Sequence, residues 1–245
     1  FGIALMLLTA ACAVYARAAS TPLPAAQPVT GDGVTGTLLR HAAFPSRRVA
    51  ARNVDVWLPP GYAESTDKRY PVLYMHDGQN VFDPSTSYTR VDWGVDEAMT
   101  RLIANGHARE AIVVAIWNTP ARLQEYMPRK AIEESTFVPM PGDPPFPTAD
   151  IVSDAYLAFL VTELKPFVDA QYRTLTGPED TFVMGSSMGG LISAYAVLQY
   201  PQVFGGAGCV STHWPIAAGI VERYLSEHLP APGKNRFYFD HGTEA

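Results

Sequence analysis

The sequence predicts an α/β domain in which helices cover both faces of a mainly parallel β-sheet. Short apolar runs at 71–75, 111–117 and 181–184 have the length and composition of strands that are buried on both faces. Segments with the apolar spacing of helices alternate with these runs, as in parallel sheets. The chain of 245 residues is 47% hydrophobic and 17% charged, so one domain with a sizeable core is expected.

The first residues have the composition of a secretory signal peptide. Residues 3–8 form an apolar run, and small residues flank Arg17 in a pattern that fits a cleavage site. We expect residues 1–19 to be part of such a peptide, whose basic start the sequence does not include. The run is too short to span a membrane. This predicts export to the periplasm or the medium, with Cys209 as the remaining cysteine and therefore no internal disulfide.

The elements of the domain follow in order. Residues 20–36 are rich in Pro, Ala, Gly and Thr and predict a flexible leader, and the domain is expected over 37–245. Strands are predicted at 37–40, 49–58, 71–75, 111–117, 181–184, 207–211 and 236–240, and helices at 95–103, 151–170, 191–198 and 216–228. Residues 126–150 hold six prolines, which predicts a long loop and, as a hypothesis, a flap over a binding site.

The most specific motif, GSSMGG, lies at 185–190 between a predicted strand and a predicted helix. Gly185, Ser187 and Gly189 fit the G-x-S-x-G pattern of a nucleophile elbow, a tight turn that exposes the serine hydroxyl. The start of the following helix favours developing negative charge at the same point. A Gly/Ser-rich turn without chemistry is the alternative, but both flanks here are those that the elbow requires. We therefore predict Ser187 as the catalytic nucleophile.

A serine nucleophile needs hydrogen-bond donors for the oxyanion that forms on attack. In this architecture one donor is the backbone N–H after the nucleophile, here that of Met188. The other comes from the loop after an early strand, where the segment HDGQN at 76–80 offers the N–H of Gln79 or Gly78. An ordinary tight turn would also account for this segment. We predict an oxyanion hole formed by Met188 with Gln79 or Gly78.

The acid and the base are expected after the nucleophile, in that order. Glu244 is the best-placed carboxylate beyond the last predicted strand, and Asp240 is the alternative. We interpret His213 as a substrate-contacting or structural residue rather than as the base. The expected base is a histidine beyond Ala245, so the sequence is interpreted as truncated. The 245-residue chain is accordingly expected to have little or no activity.

Other chemistries have little support in the sequence. The net charge of −6 disfavours nucleic acid as a partner, and no Gly-rich nucleotide-binding motif is present. His76 is interpreted as a structural histidine rather than as a rival base. His76, His107 and the carboxylates have no recognisable metal-ligand spacing, so neither a metal nor a cofactor is predicted. Trp214, just past a strand end, is either a cleft-wall residue that contacts substrate or part of the core.

These residues resemble the putative esterase family of α/β-hydrolases, which includes enterochelin esterase-like, feruloyl esterase-like and mycolyltransferase-like proteins. The resemblance covers about residues 50–244. It rests on the segments 56–62, 70–80, 163–166, 172–174 and 185–191, together with Arg122, Glu125 and Tyr126. It implies an acyl-ester hydrolase or acyltransferase with a Ser-acid-His triad, in which Ser187 is the nucleophile and Glu244 the acid. It also implies a final strand and helix that carry the histidine and that this sequence lacks.

The sequence therefore predicts an exported serine esterase that forms an acyl-enzyme on Ser187. The expected partner is a small-molecule or carbohydrate-linked ester. An acyltransferase of the same fold is one alternative. A non-catalytic protein that binds carbohydrate or a cell-wall ligand is the other.

Overall fold

The computed structural model describes residues 24–31, 33–135 and 150–242 and arranges them around a β-sheet. Eight strands lie in this part of the chain, in the spatial order β1-β2-β3-β5-β4-β6-β7-β8. They are β1 (Gln27–Val29), β2 (Thr37–Phe44), β3 (Arg52–Leu58), β4 (Val72–His76), β5 (Ile112–Ile116), β6 (Thr181–Ser186), β7 (Gly206–Val210) and β8 (Arg236–Phe239).

The direction of the strands changes within the sheet at β5. Strands β1, β2, β3 and β5 pair antiparallel, whereas β5, β4, β6, β7 and β8 pair in parallel. Every residue of Ile112–Ile116 is fully buried, because helices cover both faces of this central strand. The sheet confirms the predicted, mainly parallel α/β architecture.

Helices pack on both faces of the sheet. They are α1 (Val95–Ala104), α2 (Arg122–Tyr126), α3 (Arg129–Glu133), α4 (Ser153–Phe159), α5 (Lys165–Gln171), α6 (Met188–Gln199) and α7 (Ile220–His228). Val95, Met99 and Ile103 of α1 pack on one face, and α2 to α7 contribute to the larger core on the other. Alternate residues of β5 belong to these two cores, as expected for a strand with a side-chain period of two. Of the described helices, none is long and apolar enough to cross a membrane.

Two segments that the sequence predicts to be irregular contain regular structure. Gln27–Val29 pairs antiparallel with β2, so the prediction of a flexible leader is wrong for these residues. The backbone groups of an edge strand pair with an extended segment whatever its composition, and composition was the only signal for flexibility. Arg129–Glu133 forms α3 directly after Pro128, where the missing N–H of a proline costs the helix nothing. Residues 136–149, which include most of the hypothetical flap, and residues 1–19 lie outside the described residues.

The helix predicted at 151–170 contains a π-helical turn. Leu160–Leu164 joins α4 to α5, and the N–H of Lys165 donates to Leu160 O, five residues earlier. Pro166 lies in the first turn of α5 and has no N–H to donate to the preceding turn. The missing donor explains why the regular pattern of hydrogen bonds is interrupted at this position.

Candidate active site

Ser187 lies at the sharp turn between β6 and α6. Its backbone angles are φ 58° and ψ −119°, a conformation that is strained for a residue with a side chain. The N–H of Ser187 donates to Val210 O at 3.0 Å, and Ser187 O accepts the N–H of Gly190 at 3.0 Å. These bonds hold the strand–turn–helix geometry that the sequence predicts for a nucleophile elbow.

The glycines around Ser187 allow the strand and the helix to approach each other closely. A Cβ atom at Gly185 would lie 2.7 Å from the carbonyl group of Gly189. At Gly190 the same atom would lie 2.2 Å from Thr212 Oγ1, on the segment after β7. Any larger residue would therefore force the elbow open, which explains the small side chains of this motif.

Met188 places a backbone donor beside the nucleophile. It is the first residue of α6, so its N–H has no acceptor within the helix. The N–H groups of Gly190 and Leu191, by contrast, donate to Ser187 O. The helix start adds a positive partial charge at this position. Both properties suit the oxyanion donor that the sequence predicts here.

The predicted second donor lies in the turn after β4. Asp77 has left-handed backbone angles, φ 58° and ψ 44°, and precedes the 3-10 turn Gly78–Asn80. A Cβ atom at Gly78 would lie 2.6 Å from the carbonyl carbon of Ala115, so glycine lets the turn pack against β5. The side chain of Gln79 is fixed as well, because its Oε1 accepts the N–H of Asn118 at 3.1 Å.

The oxyanion turn, defined as Asp77–Asn80, and the elbow meet at the same edge of the sheet. Strands β4 and β6 are parallel neighbours, with Met75 opposite Met184, so their following turns leave the sheet side by side. A Cβ atom built at Gly189 would lie 3.4 Å from Asp77 Oδ2. The fold thus brings the predicted nucleophile and both predicted donor segments together.

A bidentate ion pair fixes the oxyanion turn. Arg122 Nε donates to Asp77 Oδ1 at 2.7 Å, and its Nη2 donates to Oδ2 at 2.8 Å. Asn118 Nδ2 also donates to Oδ1, at 2.6 Å, and the N–H of Asp77 donates to Tyr126 Oη at 3.2 Å. Arg122 and Tyr126 both belong to α2. This short helix therefore determines the position of the turn that carries Gln79.

A second ion pair lies deeper under the same helix. Arg52 Nη2 and Nη1 donate to the two carboxylate oxygens of Glu125 at 2.6 and 2.9 Å, and both side chains are almost fully buried. Burial lowers the pKa of Arg52, but the hydrogen bonds to Glu125, together with the electrostatic effects of Tyr156, Glu125 and Tyr126, outweigh it, so the pKa is raised and the guanidinium stays charged. The same guanidinium lies over the ring of Tyr156, 5.2 Å from its centroid.

The two ion pairs and the neighbouring tyrosines form a polar layer under α2, which consists of Asp77, Arg122, Arg52, Glu125, Tyr126 and Tyr156. His76, at the end of β4, lies within this polar layer. It is fully buried, its Nδ1 is hydrogen-bonded to Tyr156 Oη at 2.8 Å, and its Nε2 has no partner among the described groups. The pKa of His76 is lowered from 6.5 to about 3, chiefly by burial, with the cations of Arg122 and Arg52 acting in the same direction and Asp77 opposing them. His76 is therefore neutral at physiological pH, in agreement with its interpretation as a structural histidine.

The residues after β7 reach the elbow from the other side. The N–H of His213 donates to Ser187 O at 3.3 Å, and the His213 side chain is exposed. Trp214 is half-buried and packs against the core, with its ring centroid 5.7 Å from that of Phe239. Core packing thus accounts for Trp214, and the substrate-contacting role of both residues stays a prediction.

Of the two candidate acids, the structure describes Asp240 but not Glu244. Asp240 follows β8, and its Oδ1 accepts the N–H of Ser211 at 2.7 Å. Ser211 has a φ of 41°, so this bond supports a strained residue two positions before His213. Glu244 lies outside the described residues. Either assignment of the acid stays a prediction.

Sequence reasoning missed most of the polar layer behind the oxyanion turn. Arg122, Glu125 and Tyr126 entered only through the family resemblance, and Arg52, with its charge in an apolar strand, was not singled out. Their partners are remote along the chain, since Arg52 and Glu125 are 73 residues apart. A useful signal was the segment RLQEY at 122–126, whose two opposite charges three residues apart share a helix face.

The buried, neutral state of His76 predicts a component of acid sensitivity. The unfolded chain binds a proton on this residue below about pH 6.5, whereas the folded protein does so only near pH 3, so stability falls as the pH decreases between these values. In His76→Asn, the loss of unfolding free energy from pH 7.5 to pH 4.5 should be smaller than in the wild type by about 2 kcal/mol. Urea unfolding at the two pH values measures this difference.

The matched control is His107→Asn, the same exchange at an exposed histidine. This variant should keep the pH dependence of the wild type. Equal losses of stability in His76→Asn and in the wild type would contradict the assignment of a buried, neutral His76.

Comparison with known proteins identifies the family. Residues 49–228 match the family model described as "Putative esterase". The uncharacterized protein YbbA of Bacillus subtilis is 27% identical over 211 residues, which are 85% of this chain and 72% of YbbA. An IroE-like serine hydrolase from Shewanella oneidensis is 26% identical, with a TM-score of 0.51 over 73% of this chain and 53% of that protein.

The enterobactin esterase of Shigella flexneri shares the fold at lower identity. It is 20% identical, with a TM-score of 0.55 over 89% of this chain and 46% of that one. The chain thus spans about half the length of these two solved structures. The sheet and helices are those of an α/β-hydrolase. The family model covers well over half of the sequence, and the chain belongs to the putative esterase family.

Proposed function

We propose that this protein is a serine hydrolase that cleaves carboxylic esters through an acyl-enzyme intermediate. Membership of the esterase family supports ester hydrolysis in general. The serine mechanism is supported above all by Ser187, a strained residue at the start of α6 that adjoins the oxyanion turn. The name of the related IroE-like serine hydrolase agrees with a serine nucleophile.

The proposed reaction begins with attack of Ser187 Oγ on the ester carbonyl carbon. The negative charge that develops on the carbonyl oxygen is stabilised by the N–H of Met188 and by that of Gln79, with Gly78 as the alternative donor. The proton of the Ser187 hydroxyl passes to a histidine and then to the leaving alcohol. Water then attacks the acyl-enzyme, and the carboxylic acid leaves.

Arg122 acts in this proposal as a positioning residue. Its bidentate pair with Asp77 is 2.7 and 2.8 Å long, and Asp77 directly precedes the two candidate donors of the turn. An oxyanion hole is effective because its donors are fixed before the reaction and need no reorganisation. The ion pair supplies this rigidity without contacting the ester.

The base is proposed to be a histidine that Glu244 orients. The described histidines have other environments: His76 is buried and neutral, and His213 is exposed without a hydrogen bond from its ring. We also propose export, on the composition of residues 1–19. The proposed substrate is a small-molecule or carbohydrate-linked ester.

The nucleophile can be tested by covalent labelling of the full-length gene product. A fluorophosphonate probe should label the wild type at Ser187, and Ser187→Ala should lose both the label and the hydrolysis of p-nitrophenyl esters, by at least about 10³-fold. Peptide mass spectrometry locates the label. Ser186→Ala, the same exchange one residue earlier, is the matched control and should still be labelled. Labelling that survives in Ser187→Ala would refute the assignment.

The acid can be tested with two isosteric amides. Glu244→Gln should lower kcat by about 10²- to 10⁴-fold, because the catalytic histidine loses the charge that orients it. Asp240→Asn should stay within about tenfold of the wild type, since an amide oxygen can still accept the N–H of Ser211. The reverse pattern would move the acid to Asp240. Steady-state kinetics with circular dichroism as a folding check decides between them.

The exposed position of His213 leads to a separate expectation. Loss of a general base costs about 10²-fold or more, whereas loss of a peripheral contact costs less. His213→Gln should therefore change kcat by less than about tenfold and should leave the pH–rate profile in place. A collapse of kcat together with loss of the profile's acidic limb, which reports protonation of the base, would make His213 the base.

A further inference from the structure

Three carboxylates outside the proposed catalytic residues lie close together at the start of α1. Asp92 precedes the helix, and Asp96 and Glu97 lie in its first turn. Each offers one oxygen, and these three oxygens lie within 4.8 Å of one another. Asp92 is half-buried and Glu97 is exposed, so the cluster is open to solvent on one side.

Asp96 is the unusual member of this cluster, because it is fully buried. Its Oδ2 accepts the N–H of Thr35 at 2.6 Å. Its Oδ1 is buried too, yet it has no hydrogen-bond partner among the described groups. A buried carboxylate oxygen is normally satisfied by a donor or by a cation, so Asp96 Oδ1 is an oxygen that a cation could bind.

The charge of the cluster is also uncompensated. Within the described ranges, none of the three carboxylates forms an ion pair with a lysine or an arginine. The start of α1 supplies only about half a positive charge, which is too little for three carboxylates.

We propose that Asp92, Asp96 and Glu97 form a calcium site. Calcium takes six to eight oxygen ligands at about 2.3–2.6 Å in irregular geometry, so two ligands of one ion can be up to about 5 Å apart. Magnesium demands octahedral geometry at about 2.0–2.1 Å, which a cluster of this spacing satisfies less well. The side that is open to solvent leaves room for water to complete the coordination.

The calcium ion would connect three segments of the fold. Thr35, whose N–H is bound by Asp96, precedes β2, and its carbonyl accepts the Nε1–H of Trp57 at 2.8 Å. Trp93, next to Asp92, donates its backbone N–H to Asn80 O at 2.8 Å. Asn80 is the last residue of the oxyanion turn. Bound calcium would therefore stabilise the segment that holds the end of this turn through Trp93, whether or not the protein is a serine hydrolase.

Terbium luminescence tests the site directly, because Tb³⁺ replaces Ca²⁺ and is excited by energy transfer from a nearby tryptophan. Trp93 adjoins Asp92, so titration of the full-length protein with Tb³⁺ should give saturable luminescence on excitation of tryptophan. Excess Ca²⁺ should reverse it. Asp92→Asn and Glu97→Gln should each weaken Tb³⁺ binding by at least about tenfold, because each removes one anionic ligand. Trp93→Phe should reduce the luminescence but keep the calcium effect on stability.

Thermal unfolding provides a second readout that does not depend on activity. Addition of Ca²⁺ to about 1–10 mM should raise the Tm of the wild type by about 4 °C or more and leave that of Asp92→Asn unchanged. Glu227→Gln, which removes an exposed acid from α7, is the control and should respond as the wild type does. Absence of both saturable Tb³⁺ luminescence and a calcium-dependent Tm in the wild type would overturn the proposal. An equal response in Asp92→Asn and in the wild type would overturn it as well.

Discussion

The bidentate ion pair between Arg122 and Asp77 is the interaction on which the rest of the candidate site depends. Asp77 has a left-handed backbone, which aspartate adopts more readily than most residues with a side chain, and it connects β4 to the turn that carries Gln79. The guanidinium fixes the Asp77 carboxylate through two short hydrogen bonds in a mostly buried setting. In such surroundings a charged pair is screened little by solvent, and its geometry is well defined.

Burying the charged and polar groups of the polar layer behind the site costs free energy, and their pairing reduces this cost. Removing one partner of the Arg52–Glu125 pair would leave an uncompensated charge in the core, at a cost of about 3–5 kcal/mol. His76 avoids a similar cost by remaining neutral between Tyr126 and Tyr156. Burial raises the pKa of both tyrosines, so their hydroxyls remain protonated and available as hydrogen-bonding groups. The layer therefore orients the turn with two charged pairs and otherwise neutral groups.

Short-range sequence patterns predicted the central strands and the nucleophile elbow, because neighbouring residues alone determine these features. Apolar runs identified the central strands, and the glycines at 185–190 identified the elbow, because a tight turn restricts its own residues. The ion pair of Arg122 with Asp77 and the burial of Asp96 against Thr35 both depend on partners that are far away along the chain. The local sequence around Arg122 or Asp96 does not reveal such partners. The absence of a predicted metal site has a related cause. His76, His107 and the carboxylates have no recognisable metal-ligand spacing, whereas the proposed calcium site is distinguished by the burial of Asp96, which no spacing shows.

Helix α2 contains five residues, too few to be stable on its own. Arg122 and Glu125 nevertheless direct it to two different partners, one in the oxyanion turn and one in β3. Formation of the helix, burial of Arg52 and closure of the turn around Asp77 are therefore coupled, and none of the three has reason to persist without the others. The preorganisation of the candidate site is in this sense a cooperative property. A local opening of α2 would release the start of β3 and the oxyanion turn in a single event.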